Sequence, residues 1–414
     1  MKQKMTAGIL VAVFLLTQLA IGGFSGGAAA AATNENPNLQ AVVSGNSQFA
    51  MELHRKISES AAEKNMFFSP FSISTALAMT YAGARGNTAQ QMAAAMHFDL
   101  PSPALHAAFG DLTAALNSHN KGYRLEVANA LWGQQGYAFQ PEFLALVQKY
   151  YNGGFNTVDF AGATEASRGT INRWVEQNTN DKIKNLIPQG SLTTYTRLVL
   201  TNAIYFKGDW ATKFKEERTK PAPFHIRADE TVEAPMMHQF GNFRYADIDG
   251  LKVLEMPYVG GELSMVVVLP ATTLAELEPK LDANSLNGWL AKTNEVELDV
   301  FLPKFKFEAE YQLQDVLSGM GMADAFELPP ADFSGISGYK DLYITKVIHK
   351  AVIEVNEAGS EAAAATAVIV GTKSVQFRPE FKADRPFLFF IRHNATGSIL
   401  FQGRMVNPAA TMVK

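Results

Sequence analysis

E-A-G-S-E-A-A-A-A-T-A-V-I-V-G-T-K-S, residues 357–374, opens like a hinge, continues like a strand and ends at a bond that suits a protease. In an extended conformation Ser360, Ala362, Ala364, Thr366, Val368, Val370 and Thr372 share one face, and all are small or β-branched. Nothing on that face resists burial between two existing strands. The alanine run 362–365 behind Glu361 also fits a short helical turn. Val368, Ile369 and Val370 favour strand instead, so the segment is one able to change state. Lys373 then offers a cation to a trypsin-like pocket. The plainer alternative is an alanine-rich surface helix or linker.

Working outward, the hinge E-A-G-S-E-A-A-A-A-T (357–366) is followed by F-K-A-D-R-P-F-L-F-F-I-R (381–392) and G-S-I-L-F-Q-G-R-M-V-N-P (397–408). Together these motifs resemble the serpin family, and the resemblance runs from about residue 46 to residue 408. It implies an α+β serpin fold: one large mixed domain with a main β-sheet, further sheets, surrounding helices and an exposed reactive centre loop at about 357–380. It also implies a hinge made of Glu357, Gly359, Ser360, Glu361, Ala362, Ala363, Ala364, Ala365 and Thr366, and a reactive bond at Lys373-Ser374.

Composition sets the outer limits. With 414 residues, 47% hydrophobic and 18% charged, the chain has the makings of a sizeable core. A net charge of -4 with dispersed Lys and Arg leaves no footprint for nucleic acid or a membrane surface. Residues 1–32 have the layout of a secretory signal: Lys2 and Lys4, an apolar run over 7–21, then a small-residue tail at 28–32. That run of about 15 residues is shorter than the roughly 20 a spanning helix needs, so export is expected over anchoring. Residues 33–45 read as a polar leader and 46–410 as the domain. The absence of cysteine excludes a disulfide framework, a thiolate nucleophile and cysteine-based metal sites.

Within the domain, Phe49, Leu53 and Ile57 set helical spacing over 47–58. In F-F-S-P-F-S-I-S-T-A-L-A-M (67–79), Ser69 can cap a helix whose first position is Pro70. That helix is apolar on most faces and should be buried. After breaks at Gly83 and Gly86, Asn87 or Thr88 should cap the next helix. Residues 129–133 end a strand-like run, and 171–188 read as a helix running into a capped turn. L-V-L-T-N-A-I-Y-F-K-G-D-W (198–210) reads as a strand buried on both faces, next to where the hinge would insert. Short strands follow over 224–269, with Gly260-Gly261 as a hairpin signal. Helical spacing returns at 274–290, a strand at 296–307 and a short helix at 313–326.

The resemblance brings Ser69, Ser72, Asn202 and His349 together as a latch, or shutter, in the region that opens to admit the hinge. It places Trp210 at the breach, where insertion begins. Taken singly, these are ordinary satisfied polar residues and a core tryptophan. Asn394-Ala395-Thr396 is a glycosylation sequon that reads as a hairpin turn. Residues 90–120 contain no Lys or Arg, so no heparin-type polyanion site is expected there.

No G-x-S-x-G, H-E-x-x-H, Walker or dinucleotide motif is present, and the eight histidines lack paired ligand spacing, so no catalytic role, metal or cofactor is expected. The expected function is suicide inhibition of a serine protease by a secreted monomer. The protease is trypsin-like through Lys373, with elastase-like or subtilisin-like attack at Val370 or Thr372 as the alternative. Residues 359–373 would span roughly 50 Å when extended. A non-inhibitory carrier or chaperone on the same fold is the second reading.

Overall fold

The computed structural model describes residues 36–61, 63–117, 122–152, 154–360 and 378–411. The 1–32 signal segment, the Lys373-Ser374 bond and the hinge residues from Glu361 to Thr366 lie outside that set.

Helix α1 (Pro37–Ser60) starts about ten residues before the stretch marked by apolar spacing. Asn36 caps it, accepting from the amides of Asn38 and Leu39, with Pro37 in the first turn. Residues 37–45 are therefore helix and not leader; the Gly45 and Asn46 that obscured the pattern are accommodated by close packing.

Strand β1 (Met66–Phe68) leads into α2 (Pro70–Tyr81), capped by Ser69 and buried through Thr80 as expected. Helix α3 (Gly86–Met96) begins two or three residues earlier than a cap at Asn87 or Thr88 would allow. Its cap position is Arg85, and the Thr88 hydroxyl instead accepts from the Asp332 amide. Helix α4 (Ser102–Asn117), strand β2 (Tyr123–Gln134), helix α5 (Pro141–Tyr150), strand β3 (Phe155–Val158) and helix α6 (Thr164–Asn178) follow. The last starts before 171 and stops at 178; the turn beyond is held by Asn172, which bonds both the carbonyl and the amide of Ile187.

The remaining strands are β4 (Leu198–Asp209), β5 (Lys220–Arg227), β6 (Glu230–Ile248), β7 (Leu251–Pro257) and β8 (Leu263–Leu269). After the short helix Leu274–Leu277 and α7 (Ala283–Leu290) come β9 (Asn294–Pro303), β10 (Phe305–Gln312) and β11 (Lys346–Val355). A two-residue β12 (Gly359–Ser360) precedes β13 (Glu380–Lys382), β14 (Phe387–His393) and β15 (Ile399–Met405). The expected strand over 296–307 is thus two strands in different sheets, divided at Lys304. The expected helix over 313–326 is broken where Gly321 takes φ 108°.

The main sheet has the order β10-β11-β4-β2-β3, with β12 on the end of β4, and a nine-stranded sheet runs β1-β15-β14-β8-β7-β6-β9-β13, with β5 paired to β6 off that path. Helix α2 packs between them against β2, β4 and β15, placing its cap under the middle of the main sheet. On the opposite face, α6 covers β2 and β4: Ile171 and Val175 share a core with Val199, Ala203, Ala130 and Trp132. The middle of β4 is buried on both faces, which explains its unbroken apolar character. Beside β2 the helices leave a cavity of about 430 Å³, lined in part by Thr75, Met79, Leu116, Val127 and Trp174. That flank of the sheet is less than close-packed.

Candidate functional site: the seam between β4 and β11

Strands β4 and β11 are neighbours and parallel, with Lys346 opposite Val199 through Val352 opposite Tyr205. Past that last pair the chain of β11 turns back on itself. Asn356 and Gly359 form an antiparallel bridge, and β12 pairs antiparallel with the end of β4, Gly359 opposite Asp209 and Ser360 opposite Gly208. A two-residue start of a new strand therefore sits at the top of the seam, running in the direction a strand inserted there would take. Gly359 is required at this point. Its φ is +149°, and a Cβ would stand 2.1 Å from the Gly208 carbonyl oxygen.

The residues just before this start are firmly held. The buried Trp210 ring stacks on Tyr258 at 4.7 Å, its Nε1 donates to the Asn356 carbonyl at 3.0 Å, and its amide donates to the Ala358 carbonyl at 2.9 Å. The Glu357 carboxylate accepts from Lys304 Nζ at 2.9 Å and Thr219 Oγ1 at 2.8 Å, while its carbonyl accepts from the Phe214 amide. Burial alone would raise the Glu357 carboxyl, but the Lys304 and Thr219 hydrogen bonds outweigh it and hold the group below its ordinary range. Neither Lys304 nor Thr219 could be picked out beforehand, since they are far from Glu357 in sequence.

Midway down the seam the four latch residues do meet. The Ser69 hydroxyl caps α2 through the Ser72 amide and donates to the Leu400 carbonyl. The Ser69 amide donates to His349 Nε2 at 3.1 Å, so the ring proton sits on Nδ1, facing Asn202 Oδ1 in a short contact. Asn202 Nδ2 donates to Ser72 Oγ at 2.7 Å and to Asn129 Oδ1 at 2.5 Å. Burial pushes His349 down to about 3, so it is neutral. Asn129 is a member that sequence reading took only for a strand residue. It sits directly opposite Asn202 across β2 and β4, accepts from Ser72 Oγ and donates to the Ser72 carbonyl. The network thus ties β2, β4, β11 and the cap of α2 into one buried polar unit.

The sequon folds as the expected turn between β14 and β15, and Asn394 Nδ2 is already committed to the Gly261 carbonyl and Ser264 Oγ. Among the described residues no group of three or more His, Asp or Glu gathers as a metal site would need.

A family profile described as serpin (serine protease inhibitor) matches residues 44–408. The chain belongs to the serpin family. The family is described as one of serine protease inhibitors, not of catalytic enzymes. Among relatives of this serpin, the leukocyte elastase inhibitor of Xenopus tropicalis is 49% identical over 369 residues, spanning 87% of this chain and 97% of that one. The human leukocyte elastase inhibitor is 44% identical over 380 residues, spanning 89% and 100%. Uncleaved ovalbumin has a similar structure with a TM-score of 0.81, at 34% identity over 89% of this chain and 100% of that one. Human thyroxine-binding globulin complexed with thyroxine gives 0.82 at 32% identity, over 90% and 99%. The serpin fold, with its main sheet and surrounding helices, is as the sequence led us to expect.

Proposed function

We propose that this serpin traps a serine protease by inserting its cleaved loop into the seam between β4 and β11. The observation that carries this reading is the antiparallel start of β12 beside two strands that are parallel to each other. Its two registers, against β4 and against β11, agree when extended. Both put Thr366 at the level of Asn202 and His349, Ala364 between Ile204 and Ala351, and Val370 opposite Leu198, where β4 begins. The even-numbered residues then face the core shared by Leu198, Leu200, Ile204 and Phe206, which suits their small or β-branched side chains.

The chemistry of the trap is that of acyl transfer. The protease's serine oxygen attacks the scissile carbonyl, the loop's downstream amine leaves, and the upstream segment stays attached as an ester. Insertion must outrun hydrolysis of that ester. The 12 residues of β4 offer a matching ladder, and the carried protease would travel about 40 Å at about 3.3 Å per residue. The seam can open only if the Asn202–His349 bond breaks and β4 moves away from β11 together with β2, to which it is paired along its length.

For the target, elastase-like serine proteases come first, because the similar relatives are named leukocyte elastase inhibitors. Attack would then follow Val370 or Thr372. Trypsin-like attack after Lys373 is the second reading, supported by the lone cation among residues 361–377. We also propose export, supported by the charged, apolar and small-residue order of residues 1–32. N-terminal sequencing of protein recovered from the producer's medium should then start near Thr33; an intact Met1 would count against it.

Incubation with elastase and with trypsin, followed by a denaturing gel and mass spectrometry, tests the proposal. A complex that survives SDS supports trapping, and the released fragment identifies the bond. Clean cleavage without a complex would favour the carrier reading.

A further inference from the structure

Strand β3 ends the main sheet: β2 lies on one side of it, and among the described residues no strand lies on the other. The Leu131 amide donates to the Gly154 carbonyl and the Gln135 amide to the Val158 carbonyl, so the even-numbered residues here turn their backbone groups toward β2. Phe155 and Thr157 therefore turn theirs outward, an amide and a carbonyl each. Such an edge is a template for one more strand.

That edge lies in a groove of about 680 Å³ between α5 and α6. On the α5 side it is lined by Phe155, packed edge-on against Phe139 at 4.6 Å, and by Leu144, which is 38% exposed. On the α6 side Trp174 meets Trp132 edge to face at 5.5 Å, next to an exposed Arg173. Arg173 is the one charged residue lining the groove. Its guanidinium bonds Thr170 Oγ1 at 3.1 Å and has no carboxylate partner among the described residues. The groove is thus apolar on the α5 side and carries an uncompensated cation on the α6 side.

We propose that β3 is a docking site for an extended segment of a partner protein, which adds a strand beside it. Successive residues of a strand point to opposite faces. One set would lie against Leu144 and Phe155 and the other against Arg173, so the segment that fits alternates apolar with acidic residues. Strands β2 and β4 separate this edge from the seam beside β11, so a bound segment tethers the inhibitor without occupying the seam.

Selection of a displayed library of random heptapeptides on the intact protein tests the proposal. The enriched peptides should alternate apolar residues with Asp or Glu, and synthetic copies should bind the wild type. Arg173→Glu should weaken them about fivefold and turn a fresh selection toward Lys. Thr157→Pro should abolish binding while leaving the pairing to β2 intact, because the amide it removes faces outward. Melting midpoints check the fold of each variant. If Thr157→Pro fails to fold, Leu144→Glu replaces it and should also weaken binding about fivefold. No enrichment, or enriched peptides that bind the variants as they bind the wild type, overturns the proposal. So does a dimer in sedimentation that Thr157→Pro dissolves, since the edge would then belong to a second copy of this chain.

Discussion

His349 of β11 and Asn202 of β4 stand directly opposite each other, and the imidazole Nδ1–H donates to the Asn202 amide oxygen across the seam. Both side chains are buried, and their remaining polar atoms are taken up by Ser69, Ser72 and Asn129. If the cleaved loop inserts as proposed, this bond is one that the entering strand must separate.

That latch requires a neutral ring. The folded-state value of about 3 lies below the ordinary 6.5, so unfolding takes up a proton at His349 anywhere between those values. Stability contributed by the neutral ring is present above about pH 6.5 and is lost as pH falls toward 3, with a slope of about 1.4 kcal/mol per pH unit for one proton. His106, pushed down to about 4 by burial, acts in the same direction. Melting midpoints measured from pH 7.5 to 4 should fall, and His349→Gln should flatten the slope. An unchanged slope in the variant would remove His349 from the account.

Lys304→Met should loosen the hold on the hinge. It leaves the Glu357 side chain, 11% exposed, with Thr219 as its remaining side-chain partner. The Lys304 ammonium is itself 43% exposed, so the loss is about 1–2 kcal/mol and less than for a fully buried pair. The expected readout is a lower melting midpoint of the intact protein together with faster loop cleavage by a non-target protease.

Ala364→Arg should convert the inhibitor into a substrate. The register puts residue 364 between Ile204 and Ala351, both fully buried, where a guanidinium has no partner. The opposite face offers little relief: residues 363 and 365 fall opposite Tyr205 and Ala203, which are buried as well, so arginine at Ala363 should also be harmful. The check is the stoichiometry of inhibition alongside the rate of loop cleavage. Trapping one for one by Ala364→Arg would contradict insertion along this register.

Much of this was legible in the chain itself. The capped helix at Pro70 and the buried strand at 198–209 follow from local chemistry, because caps and apolar runs are written residue by residue. The latch residues were legible through resemblance alone. Asn129 was not, since its part depends on which residue of β2 falls opposite Asn202. The Lys304 and Thr219 partners of Glu357, and the division of one strand-like run into β9 and β10 at Lys304, depend on long-range pairing for the same reason. The start of α1 was hidden because Gly45 and Asn46 interrupt the apolar spacing that Leu39, Val42 and Val43 carry on its first turns.

The most direct test of insertion is the melting midpoint of the protein before and after a single cut in the loop. A nick ordinarily weakens a fold. Here the freed segment should add a strand between β4 and β11, each new ladder hydrogen bond contributing about 0.5–1.5 kcal/mol net, and bury its small face against the core. The account predicts a midpoint well above that of the intact protein. An equal or lower midpoint after cleavage would contradict it.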